Sequence, residues 1–341
     1  MITDATPGRR LTSDTVLALR GVSQHFDIGG GRTVYALNDV SIDVRSGETL
    51  GIVGESGCGK STLLQAILQA PRPTQGSVVF EGVELTRLGR RDLDRVRPRI
   101  GMVFQDPSSS LDPRFKVREI VAEPLVAQGM KRPERAARVD ELVELVGLDP
   151  VHHGDRLPSQ LSGGQLQRVA IARALAVGPS TLLCDEVVSS LDVSIQAQIL
   201  NVFETVRQER SLASVFVSHD LAVVRHVSDR ISVMYLGSTM EIGPADEIHD
   251  RPVHPYTEAL LSSSPQPPGT AARQRIVLQG EIPSPVDPPS GCSFRTRCPR
   301  AEELCAVERP VLRPFGDGHV AACHFPLRAP SVTATPQELP A

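Results

Sequence analysis

The run Gly54-Glu55-Ser56-Gly57-Cys58-Gly59-Lys60-Ser61 constrains this chain more than any other feature. It fits G-x-x-x-x-G-K-[ST] in full, between a short buried-strand pattern, Thr49-Leu50-Gly51-Ile52-Val53, and a helix expected from Ser61 to Gln69. Glycines let the backbone wrap an anion so that successive N–H groups converge on it. The helix that follows adds the partial positive charge of its N-terminus. Lys60 is expected to reach the β- and γ-phosphates of a nucleotide and the Ser61 hydroxyl to bind Mg²⁺, with Thr62 completing the contacts.

The surrounding text repeats the strand signal at Ile100–Phe104, Thr181–Cys184, Ser214–Val217 and Ile231–Tyr235, with helical patterns between. This reads as an α/β chain with a parallel sheet covered by helices. The block from about 107 to 178 differs. Val139, Leu142, Val143 and Val146 fall at i, i+3, i+4 and i+7, and Gly147 supplies a stop, which predicts a mostly helical insertion between two strands. After Arg251, proline and serine become dense, with Pro283, Pro285, Pro288 and Pro289 clustered in an extended linker or loop. The expected division is a lead-in over 1–15, a nucleotide-binding domain over 16–250, a small module over 251–330 and a tail over 331–341.

Bulk properties exclude several classes. A net charge of −4 gives no sign of a nucleic-acid binder. The arginine-rich stretch Arg87–Arg99 reads as a solvated face. No apolar run approaches the roughly 18 residues of a membrane span, and the N-terminus lacks an apolar signal core. Six cysteines in a chain of this kind favour metal binding or packing over a disulfide framework.

Asp185 ends the apolar run Leu182-Leu183-Cys184, and Glu186 follows. A carboxylate at the C-terminal end of a strand opens onto the ligand crevice of an open sheet. Asp185 is the natural Mg²⁺ partner, and Glu186 can polarise a water for in-line attack on the γ-phosphate.

With these residues in view, the chain resembles the ATP-binding-cassette (ABC) ATPases. The deciding run is Leu161-Ser162-Gly163-Gly164-Gln165, which is similar to that family's signature. The resemblance implies a P-loop NTPase core with a RecA-like parallel sheet, an antiparallel β subdomain and a helical signature subdomain. It implies that Ser162, Gly163, Gly164 and Gln165 contact the nucleotide held by a second cassette. Gln105 matches the glutamine that senses Mg²⁺ and the attacking water, His219 the histidine at the γ-phosphate, and Ser190-Leu191-Asp192 the loop that crosses the dimer interface. Phe26 is the candidate for stacking on adenine, with Tyr35 the alternative. Val187 departs from the family, which has proline after the catalytic glutamate. Losing that fixed φ is expected to loosen the loop from Glu186 to Asp192.

Outside the core, Asp112-Pro113-Arg114, Leu191 to Leu200, His254-Pro255-Tyr256-Thr257, Gly280 to Pro285 and Pro288 to Cys292 are similar to the peptide-importer branch. That branch includes oligopeptide, dipeptide, glutathione and nickel importers, and details such as Asp106-Pro107-Ser108 look like the second of its two unlike ATPase subunits. The resemblance implies an ATPase at the cytoplasmic face of the membrane. Its partners would be a second, unlike cassette, two permease subunits docking near Gln105 and about 106–125, and, indirectly, a solute-binding protein. A repair-type or translation-type soluble ABC ATPase is the competing reading, as is a regulatory cassette of low activity. About 100 residues between Lys60 and Ser162 leave no room for long coiled coils, and a single motif set excludes two cassettes in one chain.

Cys292, Cys298, Cys305 and Cys323 share the turn-rich module. Four such thiols can hold zinc or an iron–sulfur cluster, remain free, or form reversible disulfides. Their spacing matches no common zinc ribbon, and the resemblance to the peptide-importer tail favours [4Fe–4S]. Cys58 and Cys184 read as fillers of core or loop.

Overall fold

The computed structural model describes residues 14–189, 191–263, 274–316 and 318–329. The expected tail and nearly all of the lead-in therefore lie outside the described residues, as does Ser190.

Among the described residues, twelve strands form two sheets. They are β1 (Thr15–Asp27), β2 (Thr33–Arg45), β3 (Thr49–Val53), β4 (Gln75–Phe80), β5 (Val83–Glu84), β6 (Ile100–Val103), β7 (Thr181–Asp185), β8 (Ala213–Ser218), β9 (Arg230–Tyr235), β10 (Ser238–Pro244), β11 (Arg313–Gly316) and β12 (His319–Ala321). The smaller sheet, ordered β2-β1-β4-β5, is antiparallel throughout. The larger runs β11-β12-β10-β9-β3-β8-β7-β6. Its five strands from β9 to β6 are parallel, and β10, β12 and β11 extend it in antiparallel sense.

β3, β7 and β8 are buried at every position, the pattern of parallel strands covered on both faces. Successive side chains point to opposite faces. Leu182 and Cys184 enter a core shared with the helical insertion, whereas Leu183, Val215 and Val217 enter a second core beneath the small sheet and the helix Lys60–Ile67.

The insertion between β6 and β7 is helical, as its periodicity predicts, with its longest helices at Val117–Ala127, Arg132–Leu145 and Gly163–Leu175. Val139, Leu142, Val143 and Val146 are all buried. Gly147, at φ 72°, ends that helix with its N–H on the Glu144 carbonyl at 2.8 Å, a left-handed stop that glycine adopts without strain. Within the arginine-rich stretch, the short helix Arg90–Val96 buries only Leu93 and carries an Arg95–Asp92 ion pair at 3.0 Å on its exposed face.

The C-terminal region is joined to the core rather than appended to it: β12 pairs with β10 and β11 with β12. The joint is organised by Glu241 of β10, which is fully buried. Its carboxylate accepts the backbone N–H groups of Val253 (2.8 Å) and His254 (2.9 Å) and lies 2.7 Å from His319 Nε2. A buried carboxylate is stable only with such partners, so the His254-Pro255-Tyr256-Thr257 segment is held in one place.

Candidate nucleotide site

The phosphate loop joins β3 to the helix Lys60–Ile67. Gly59 stands at the N-cap with φ 102°, and no side chain caps the helix, so its first N–H groups face outward for an anion. Glycine is required at two positions by close approach. A Cβ on Gly54 would lie 2.2 Å from the Met234 carbonyl oxygen, and one on Gly59 would lie 2.4 Å from that of Ala36. Lys60 is 5% exposed, and its Nζ donates to the carbonyls of Gly54 (2.9 Å) and Glu55 (3.2 Å). The Cys58 carbonyl accepts Gly237 N–H at 2.9 Å. Burial pushes the Cys58 thiol up to about 11, which makes it an inert filler. Gly57 and Ser61 are exposed, Ser56 likewise, and Thr62 is half-buried.

Four adjacent strands, β3, β8, β7 and β6, deliver their C-terminal ends to one crevice. Ser61 Oγ donates to Asp185 Oδ1 at 3.1 Å. Burial, the largest influence, raises the Asp185 pKa, and the Ser61 hydrogen bond opposes it. Glu186 is the centre of the group. Its carboxylate accepts from Gln105 Nε2 at 3.1 Å, lies 3.5 Å from Lys60 Nζ and lies 3.6 Å from His219 Nδ1. Gln105, Glu186 and His219, far apart in the chain, thus converge with Lys60.

The loop after Glu186 is held without proline. Glu186 sits at φ 46°, its N–H on the Val217 carbonyl at 3.0 Å, and its own carbonyl accepts both the N–H (3.1 Å) and the Oγ (2.9 Å) of Ser189. Val187 and Val188 are buried in the core, so apolar packing anchors the segment that a proline ring would have stiffened.

The run Ser162–Gln165 opens the helix Gly163–Leu175 with a capping box. Ser162 Oγ accepts Gln165 N–H at 3.3 Å, and Gln165 Oε1 accepts Ser162 N–H at 3.0 Å. Gln165 Nε2 also meets His153 Nε2 at 3.3 Å. Ser162 and Gly163 are exposed, as is Asp192. A Cβ on Gly164 would meet Ile195 Cγ2 at 2.6 Å, which ties this helix to the one beginning at Val193. These residues make their hydrogen bonds within their own region and none to the phosphate loop among the described residues.

An ABC transporter family model matches residues 37–189, and a model of the oligopeptide/dipeptide transporter C-terminal region matches residues 240–305. The chain is 47% identical to the oligopeptide transport ATP-binding protein AppF of Bacillus subtilis, over 92% of this chain and 98% of that one. It is 45% identical to the di/tripeptide transport ATP-binding protein DppF of Pseudomonas aeruginosa, over 91% and 98%. Among solved structures, the dimeric post-hydrolysis state of the ATP-binding cassette MJ0796, bound to ADP and Pi, superposes with a TM-score of 0.62 at 33% identity, covering 67% of this chain and 98% of that one. The chain belongs to the ABC transporter ATP-binding proteins, in their oligopeptide/dipeptide branch.

Two features of this cassette bear on the aromatic and cysteine expectations. Phe26 and Tyr35 are both half-buried in the β1–β2 hairpin. His25 faces Tyr35 edge-on at 4.8 Å between centroids, while Phe26 pairs with Val34 in the register. The two candidates therefore occupy opposite faces of the hairpin. The expected [4Fe–4S] cluster finds no support in the fold. Cys292, Cys298, Cys305 and Cys323 are free thiols, and among the described residues no group of three or more His, Cys, Asp or Glu side chains is arranged to hold a metal ion. Burial raises the thiols of Cys292 and Cys298 and pushes that of Cys323 up to about 12.

The cassette also carries two residues that the sequence did not place at the phosphate loop. Tyr256 OH accepts the Glu55 N–H at 3.0 Å, and Arg297 grips the Glu55 carboxylate through both terminal nitrogens at 2.6 and 3.0 Å. Arg297 lies 242 positions from its partner, and nothing local marks it. Its one sequence signal is its place beside Cys298 in the tail. No helix among the described residues is long and apolar enough to cross a membrane.

Proposed function

We propose that this chain is the ATP-hydrolysing subunit of an importer for peptides or related small solutes, working at the cytoplasmic face of a membrane. The observation that carries the reading is the convergence of Gln105, Lys60 and His219 on Glu186 at the carboxyl ends of the sheet strands. Full-length likeness to peptide-transport ATP-binding proteins supports the cargo class.

In this reading the amides from Gly54 to Thr62 and the Lys60 ammonium bind the triphosphate. Its oxygens take Lys60 from Glu186, which frees the carboxylate to orient a water held also by Gln105 and His219. The water oxygen bonds to the γ-phosphorus as the bond to ADP breaks, and Glu186 receives the proton. A hydroxyl beside a buried carboxylate fits a hard divalent cation. Ser61, Asp185 and the carbonyl oxygen of Gln105 would hold Mg²⁺, which when bound neutralises charge on the phosphates.

The exposed Ser162–Gly163 turn and Asp192 would complete the site of a second, unlike cassette, with Phe26 or Tyr35 against adenine. ATP then acts as a bond between two chains, and hydrolysis releases it, because the closed pair binds nucleotide more tightly than the open one. Phe104 (45% exposed), next to Gln105 in the chain, and Phe115 (41%) offer apolar surface for two permease subunits, and a solute-binding protein would deliver cargo from outside.

The test is ATP hydrolysis and labelled-peptide uptake by the reconstituted assembly. Glu186→Gln is expected to retain ATP while cutting turnover by roughly a hundredfold or more. Hydrolysis untouched by that change would overturn the mechanism, and hydrolysis without uptake of any peptide would overturn the cargo class.

A further inference from the structure

Glu55 is the point where the phosphate loop is tied to the C-terminal region. Its carbonyl accepts Cys58 N–H at 3.2 Å and Lys60 Nζ at 3.2 Å, so it forms the inner wall of the loop. Its N–H and its carboxylate point the other way, to Tyr256 and Arg297. Arg297 is 8% exposed on its side chain and Glu55 23%. Arg297 also lies over the Tyr235 ring at 5.9 Å, and Tyr235 packs edge to face with Tyr256 and Phe294, which are tilted on each other, with centroids 4.8 to 5.3 Å apart. The guanidinium is thus seated on an aromatic platform drawn from β9, the helix Pro255–Ser263 and the cysteine module.

The charge balance matters as much as the geometry. A loop built to receive a polyanion contains a carboxylate, and in a poorly screened setting an unpaired carboxylate repels phosphate. A bidentate guanidinium neutralises that charge and fixes its direction. Resting on the ATP-site reading above, we propose that Arg297 and Tyr256 are positioning residues for the phosphate loop. Arg297 cancels the Glu55 charge and Tyr256 holds the Glu55 amide, so the C-terminal module sets the cassette's affinity for ATP.

The test is MgATP binding and steady-state hydrolysis by the full chain with its partner cassette. Arg297→Gln leaves Glu55 anionic beside the phosphates and is expected to raise Kd and KM for ATP about tenfold with kcat little changed, the pattern of lost binding that is common to ground and transition states. The double variant Glu55→Gln/Arg297→Gln removes the exposed charge and is expected to return Kd to within about threefold of wild type, a coupling that only a cycle of this kind isolates. Arg297→Lys should fall between wild type and Arg297→Gln. A latch that served only to hold the tail would leave the double variant as weak as Arg297→Gln, and that result overturns the proposal. Tyr256→Phe keeps the ring and loses one hydroxyl. It should weaken ATP binding in the same direction by about threefold, and wild-type affinity in a folded Tyr256→Phe protein also overturns the proposal, even if Arg297→Gln fails to fold. Wild-type protein that binds no ATP, or binds it equally well with Lys60→Ala, would instead sink the underlying site.

Discussion

The two helix N-termini to which the proposed function gives the nucleotide chemistry are built in opposite ways. The helix Lys60–Ile67 starts at a left-handed glycine with no side-chain cap, and its loop is braced from behind by Ala36, Met234, Gly237, Tyr256 and Arg297. The helix Gly163–Leu175 starts at Ser162, satisfies its own end through a capping box and is exposed there. The first end is costly to form and keeps its donors for a ligand. The second is stable alone and free to meet another chain. In the proposed function catalysis needs both, so that one copy would hold two half-sites and complete neither by itself.

That contrast can be broken at several points. The largest effect is expected at Lys60: Lys60→Ala should lower kcat/KM for ATP by roughly a hundredfold or more, the scale of losing a charged donor to the transferred group, as measured by phosphate release. Next come the glycines. Gly54→Ala drives a Cβ into the Met234 carbonyl at 2.2 Å and is expected to cost about 3 kcal/mol of stability. Gly163→Ala meets only Leu191 Cδ2 at 3.5 Å and should leave the melting temperature nearly unchanged while lowering turnover in the paired cassettes. Equal loss of stability in the two variants would erase the distinction between a braced and a free end.

Ser162→Ala removes the box and should cost about 1 kcal/mol, visible as a modest fall in melting temperature, together with weaker ATP-dependent association by gel filtration. The smallest effect concerns the brace itself. His254 accepts Tyr256 N–H at 3.0 Å, and burial pushes its pKa from 6.5 down to about 4. Between those values the unfolded chain binds the proton and the folded one does not, so stability should fall as pH drops from 6.5 towards 4. The buried Glu241 carboxylate, which also bonds this segment, moderates the fall. In His254→Asn the slope of melting temperature against pH across that window should shrink, and an unchanged slope would remove His254 from the account.

Much of the fold was legible because its signals are local. The continuous apolar runs at Thr49–Val53 and Thr181–Cys184, the helical spacing from Val139 to Val146 and the stop at Gly147 each report a period or a dihedral preference that neighbours alone impose. The candidate site was legible for a related reason: Gln105, Asp185, Glu186 and His219 each stand at or just beyond the end of a strand, Lys60 opens the helix that follows one, and a parallel sheet must bring those ends to one edge. The tail was less transparent. Its four cysteines drew attention as ligands, while the residue that reaches the phosphate loop was the arginine beside one of them.

By itself, then, the sequence determined the phosphate loop and the order of the strands and helices it marked around it, because each depends on residues a few positions apart. Only the tertiary structure decided that β11 and β12 close the edge of the main sheet, that Val187 is anchored by packing, and that Glu55 is held by Tyr256 and Arg297. The physical reason is that charge pairing and aromatic seating act through space. Their partners leave no periodic trace in the chain, and only folding brings them within reach.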